Sequence, residues 1–173
     1  MNRLLVMLAM ACAVVAPACA QNPVRPAAQA AADRTAASDY QPEQLRGFAR
    51  DTLTIQRSSG RDIFYIWLAE TPEQQQQGLM WVQKLPADHG MLFLLDEPRP
   101  MSMWMKNTYV PLDMVFFDAQ GRILRIHEHA VPLSEAIIDS GVNVAGVLEI
   151  LAGEAHRRGL QVGDRLLLQR LAR

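Results

Sequence analysis

The residues with the widest chemical options in this chain stand together in "MSMWMKNTYVPLD", residues 101–113. If this stretch is extended, successive side chains face opposite sides, so Met101, Met103 and Met105 share one face and Ser102, Trp104 and Lys106 share the other. Three thioethers on one face suit Cu(I). Methionine is also a common filler of irregular apolar cores, and no second Met or His cluster lies near in sequence to complete a coordination sphere, so core packing is the expected role. The residues that follow differ in kind. Lys106, Asn107 and Thr108 supply ammonium, amide and hydroxyl groups in consecutive positions, Trp104 precedes them, and Pro111 forces Val110 into an extended conformation. An aromatic face beside such groups is the usual makeup of a pocket for a polar ligand. The same residues could instead form a turn held by local backbone hydrogen bonds, with Trp104 packed in the core and Lys106 in solvent.

Other groups offer less. His127 and His129 share a strand face and could give zinc two ligands, but a site needs a third and usually a fourth, and His89 and His156 stand in unrelated segments. No metal and no cofactor are expected. Ser102, Ser134 and Ser140 lack a nucleophile-elbow sequence. Asp113, Asp118 and Glu128 could work as paired carboxylates, although Asp118 belongs to a hairpin turn.

Three readings follow. The first is a binding site lined by Trp104, Lys106, Asn107 and Thr108, with Asp113 and Glu128 nearby, for a polar small molecule, sugar or envelope peptide. Lys106 favours an anionic or hydroxylated group and Trp104 offers a stacking face. The second is a cell-envelope hydrolase using the same cluster with Asp113 or His127 as acid or base, which requires one of these within hydrogen-bond reach of Asn107 or Lys106. The third is a structural or partner-binding module, which requires a fully buried Trp104 and an Asn107 bonded to backbone groups.

The elements that must position these residues are mostly strands. Leu53 to Gln56 and Ile63 to Leu68 flank "RSSGRD" and read as a hairpin. "AETPEQQQQGLM" places Thr71 as N-cap, Pro72 at the first helical position and Gly78 as the stop of a two-turn helix. "MLFLLDEP" (91–98) and "VAGVLEIL" (144–151) are continuous apolar runs, as in strands buried on both faces. "DMVFFD" and "RILRIHEH" flank Ala119-Gln120-Gly121, where the glycine can take the left-handed position of a bulged hairpin. "AGEAHRRGL" gives a second short helix stopped by Gly159, and "VGDRLLLQRL" a turn and a last strand. The fold expected is mainly β, one compact domain built as a β-sandwich or partly open barrel with two short helices.

A length of 173 residues suits one domain. The net charge of −1 carries no nucleic-acid footprint and no polybasic membrane patch. The first 20 residues read as a secretory signal peptide: Arg3, then an uncharged run too short to span a bilayer comfortably, ending in Ala18-Cys19-Ala20. Cleavage after Ala20 takes the net charge from −1 to −2. Lipidation at Cys19 is the second reading, against which Ala16-Pro17-Ala18 is a poor version of the usual Leu-rich box. Both cysteines, Cys12 and Cys19, lie in this segment, so the mature body has no disulfide and no thiolate nucleophile. Residues 21–46, rich in Ala, Pro and Gln, read as a flexible spacer before a domain over 47–173. The expectation is an exported monomer, periplasmic or secreted, with no transmembrane span after processing.

From Ala69 to Asp164 the chain resembles the DUF192 (UPF0127) family of uncharacterised bacterial and archaeal proteins. The resemblance rests on "GLM" (78–80), "GMLF" (90–93), "WMKNT" (104–108), "PLDMVF" (111–116), "IHE" (126–128) and "VGD" (162–164), with "VLEI" and "AGEA" between. It implies a compact, mainly β domain and carries no reaction, substrate or cofactor. It singles out Trp104 to Thr108 with Pro111, Leu112 and Asp113, whereas Met101, Met103 and His129 fall outside its pattern.

Overall fold

A computed structural model describes residues 40–167; the expected signal peptide (1–20), the expected spacer up to residue 39 and the last six residues lie outside the described region. The strands are β1 (Ala49–Arg57), β2 (Gly60–Ala69), β3 (His89–Arg99), β4 (Ser102–Met103), β5 (Leu112–Phe117), β6 (Ile123–Ala130), β7 (Ile138–Asp139), β8 (Val144–Leu151) and β9 (Arg165–Leu167). Two helices, α1 (Pro72–Gln77) and α2 (Glu154–Arg158), interrupt them. Seven strands form one sheet in the order β6-β5-β8-β3-β2-β1-β9, and β4 pairs with β7 in a small second sheet.

The large sheet is a half-barrel. Leu53 and Ile55 of β1, Leu166 of β9, Val115 and Phe117 of β5 and Ile123 of β6 share one buried cluster, so the sheet curls around this face until strands from both ends meet. A bridge between Arg122 and Arg165 ties the two edges, with Ile123 N–H donating to the Asp164 carbonyl at 2.8 Å and Leu166 N–H to that of Gly121 at 2.7 Å. Gly121 makes this closure possible. Its φ is 75°, and a Cβ there would lie 2.2 Å from the Leu166 carbonyl oxygen, so no larger residue fits between the edges. The glycine thus takes the left-handed position expected of the β5–β6 hairpin.

The other face of the sheet carries the second core. Trp67, Met91, Phe93, Met114, Phe116 and Val147 point outward and are covered by Leu45, Phe48, Leu79, Val82 and Met105 from the segments above. Residues 40–46 take part in this cover: Leu45 is fully buried, and the Trp67 indole N–H donates to the Gln41 side chain at 3.0 Å. The packed body therefore reaches back to Tyr40, into the segment that composition assigns to the spacer. Leu45, the Tyr40 ring against Trp67 and His89, and the Gln41 side chain dock it, signals that Ala, Pro and Gln content does not carry.

Pairing departs from the expected run of hairpins: among the described strands of the large sheet only β1–β2 and β5–β6 are hairpins, β8 lies between β3 and β5, and β9 pairs with β1. β2 and β3 are parallel, with Leu68 opposite Leu92, and α1 lies in the crossover between them. Its boundaries are those read from the sequence. Thr71 accepts from the Gln74 N–H while the Gln74 side chain accepts from the Thr71 N–H, a reciprocal capping box, and Gly78 ends the helix at a φ of 50°. α2 is stopped by Gly159, which is left-handed at φ 66°.

Candidate functional site

The segment after β3 crosses the outer face of the sheet, and its short pairing of β4 with β7 holds it there. Only Ser102 and Met103 are strand, yet the expected alternation survives: Met101 and Met105 are buried, while Ser102 and Trp104 are exposed. A turn follows, with Thr108 N–H donating to the Met105 carbonyl at 3.0 Å. Asn107 sits in it at a φ of 54°, a left-handed conformation that asparagine tolerates better than most residues. Neighbouring loops lock the turn. Trp81 N–H donates to the Asn107 carbonyl at 2.8 Å and Leu133 N–H to that of Thr108 at 3.1 Å, and Trp81 and Leu133 are themselves left-handed, at φ 63° and 62°. Three non-glycine residues in this sparsely populated region therefore meet at one spot, as happens where surrounding structure over-determines the backbone.

This turn, the end of α1 and the sheet enclose a recess of about 230 Å³. Its walls include Trp104, Lys106, Thr108, Arg99 and Gln76, and Glu149 of β8 lies among its lining residues. A second recess of about 330 Å³ adjoins it, walled by Trp81, Trp104, Lys106, Asn107 and Glu73. Gln76, Gln77, Met80, Trp104 and Lys106 line both, so the two form one cleft over the roof of the sheet. Trp104 is 41% exposed and Trp81 45%. The Lys106 ammonium lies 5.0 Å from the centre of the Trp104 ring, a cation–π contact. The Asn107 amide donates toward the Met80 sulfur at 3.8 Å, and the Thr108 hydroxyl donates to the Lys106 carbonyl at 3.3 Å.

Glu149 has no counterpart in the sequence-based site. It occupies the centre of the sheet, opposite Met91 on one side and Met114 on the other, both fully buried. The residue is only 4% exposed, and its carboxyl has no hydrogen-bond partner among the described residues. Burial pushes its pKa from the ordinary 4.5 up to about 8, so the group is largely protonated at neutral pH and can donate as well as accept. A lone glutamate inside the apolar run "VAGVLEIL" was the available signal: a strand buried on both faces has no solvated position for it. Arg99 was also missed, because an arginine at a strand end is unremarkable until the fold brings it to the cleft.

The structure thus gathers Trp104, Lys106, Asn107 and Thr108 around the cleft, whereas Asp113 and Glu128 line neither recess. Asp113 is fully buried in β5, and its two oxygens accept from the His129 N–H at 2.9 Å and the Ala155 N–H at 3.0 Å. It fastens β6 and caps the first turn of α2, whose own N-cap is a glycine. Glu128 is exposed on β6, and His127 lines neither recess. The hydrolase arrangement, which pairs Asp113 or His127 with Asn107 or Lys106, is not formed. Nor are the conditions of the structural module met, since Trp104 is half exposed and the Asn107 side chain faces a sulfur. Among the described residues no three His, Cys, Asp or Glu side chains cluster as metal ligands. Met101 and Met103 do not act purely as core filler: with Met80 they wall the first recess, while Met105 is fully buried beneath.

Solved structures similar to this chain include two bacterial proteins. One, from Sinorhizobium meliloti 1021, carries a provisional label as a transcription regulator; it is 50% identical with a TM-score of 0.68, over 69% of this chain and 94% of that one. The other, a protein of unknown function from Novosphingobium aromaticivorans DSM 12444, is 34% identical with a TM-score of 0.70, over 77% of this chain and 96% of that one. No curated protein matches. Residues 54–168 match the DUF192 family, described as "Uncharacterized ACR", and the chain belongs to that family.

Proposed function

We propose that this chain is an exported domain that binds a polar small molecule, or the polar group of an envelope component, in the cleft between α1 and the Trp104–Thr108 turn. Glu149 carries this reading. A carboxyl buried between methionines with no hydrogen-bond partner on the protein is destabilising, and its oxygens, which keep some surface at the recess, are open to a molecule that bonds to them. Its position among the lining residues of a recess, beside Lys106 and Thr108, gives such a molecule a way in. Export is supported by the N-terminal pattern of Arg3, an apolar run and Ala18-Cys19-Ala20. Among the described residues no helix is long and apolar enough to cross a membrane. The near-neutral charge supports a small ligand over nucleic acid, whatever the label on the Sinorhizobium relative.

A thermal-shift screen of sugars, short peptides and organic acids tests the reading, because a ligand that binds only the native state raises the melting temperature. At a concentration of about 100 Kd the expected stabilisation is about 2.7 kcal/mol. The gain should disappear in a Lys106→Ala, Asn107→Ala double variant and shrink in Glu149→Gln. A ligand whose stabilisation survives in the double variant binds elsewhere and rules the cleft out.

A further inference from the structure

The cleft has chemistry at both ends that narrows what it can hold. At the first recess stand two cations, Arg99 and Lys106, and neither has a carboxylate within ion-pair reach among the described residues. The acid lining the same recess, Glu149, is largely protonated at neutral pH and so repels an anion little; it presents a hydrogen-bond donor. Two cations without an ion-pair partner raise the local concentration of anions at the first recess, while the one ionised acid of the cleft, Glu73, stands in the adjoining recess. At the adjoining recess two half-exposed indoles, Trp81 and Trp104, stand beside amide and carboxylate groups from Gln76, Gln77, Asn107 and Glu73. Flat aromatic faces bordered by amides suit a ring whose C–H face is apolar and whose edge carries hydroxyls.

Three features argue that these groups face a ligand and do not merely lie on the surface. The indoles are held in place by backbone: Trp81 is left-handed and its N–H is bound by Asn107, while the residue after Trp104, Met105, donates to the Ser134 carbonyl at 2.9 Å. Lys106 is anchored over Trp104, which limits how far its ammonium can swing from the junction of the two recesses. Glu149 is nine-tenths buried, unpartnered and at the recess.

We propose that the ligand is an acidic saccharide: a sugar ring stacked against Trp104 or Trp81, its hydroxyls bonded to Gln76, Gln77 and Asn107, and its carboxylate or phosphate held by Arg99 and Lys106. The inference rests on the binding reading above and adds the ligand's class. The Glu149 carboxyl supplies a further donor where the anionic group enters the first recess, and the Thr108 hydroxyl, whose proton goes to the Lys106 carbonyl, offers an acceptor to a sugar hydroxyl.

Intrinsic tryptophan fluorescence of the full-length chain provides the test. Of the three tryptophans Trp67 is buried and serves as constant background, while Trp81 and Trp104 report on the cleft. The probes are galacturonate, glucose 6-phosphate, neutral galactose, acetate and inorganic phosphate. Saturable quenching by galacturonate or glucose 6-phosphate is expected, with galactose weaker by about tenfold or more and the two simple anions weaker still. Which charged sugar binds tighter separates a carboxylate from a phosphate ligand. Arg99→Ala and Lys106→Ala should each weaken the charged sugar by about tenfold while moving galactose little. Trp104→Ala should weaken both. Galactose binding as tightly as galacturonate, unaffected by Arg99→Ala and Lys106→Ala, would overturn the acidic class and leave the cleft a binding site. If no sugar quenches while another compound of the thermal-shift screen binds in a Lys106-dependent way, the saccharide class falls and the binding reading stands. If nothing binds by either method, both fall.

Discussion

At the scale of single residues, Glu149 links stability to pH. Its carboxyl is held near 8 in the folded chain against an ordinary 4.5, and burial between Met91 and Met114 is the cause. Below the lower value both folded and unfolded chains carry the proton, and the group does not favour unfolding. Between the two values the unfolded chain releases its proton while the folded one keeps it, so stability falls as pH rises and levels off above about 8. The loss is on the order of a few kcal/mol. Glu149→Gln, which cannot ionise, should therefore match the wild type near pH 4 and exceed it near pH 8, as read by urea unfolding across that range. A variant as pH-sensitive as the wild type would show that another group governs the slope.

At the scale of elements, the local signals in the sequence were those with one dominant physical cause. The cap at Thr71, the stops at Gly78 and Gly159 and the turn at Gly121 follow from backbone chemistry confined to a few neighbours, and each element boundary they mark is present. The Trp104–Thr108 cluster was legible because polar groups followed an aromatic in consecutive positions. What lay beyond reach was set by contacts distant in sequence. The parallel pairing of β2 with β3 depends on how the 70–88 crossover packs, and Glu149 comes to the same recess as Lys106 and Arg99 only after β8 joins β3 and the 99–108 segment folds over it. Asp113 shows the same limit from the other side. Beside "KNT" it looks like a ligand-facing acid, yet β5 turns it inward, where it holds two backbone N–H groups. Asp113→Asn keeps one acceptor and sets an amide N–H against a donor, so a loss of about 1–3 kcal/mol is expected in denaturant unfolding. Faster hydrogen exchange at the Ala155 amide should accompany it. A neutral substitution would mean that α2 is capped by other means.

At the scale of the whole molecule, the half-barrel and its cover have different roles, and the cleft belongs to the cover. The inner cluster closes the sheet on itself through β9 and Gly121, and none of its residues lines either recess. The roof is less self-sufficient. α1 buries none of its own side chains, and it is tied from below and behind by glutamines: Gln75 to the Leu94 carbonyl at 3.2 Å, Gln74 to that of Gly47 at 3.0 Å and Gln77 to that of Gln44 at 2.7 Å. Two of these three ties reach the segment before β1, whose position depends on Leu45 and Phe48 in the outer core and on Tyr40 packed edge-on against Trp67 and His89. Residues 40–48, which straddle the boundary between the expected spacer and the domain, thus help set where the wall of the cleft stands. Leu45→Ala removes their main anchor and should cost about 2–5 kcal/mol, the usual range for emptying a buried leucine site. The informative comparison is local. Hydrogen exchange at the Gln75 and Gly78 amides, which donate within α1 to Thr71 and Gln74, should accelerate in Leu45→Ala more than exchange at strand amides of β5 and β8. Uniform acceleration across the molecule would mean that barrel and cover open together, and that α1 is not an independently held wall of the site.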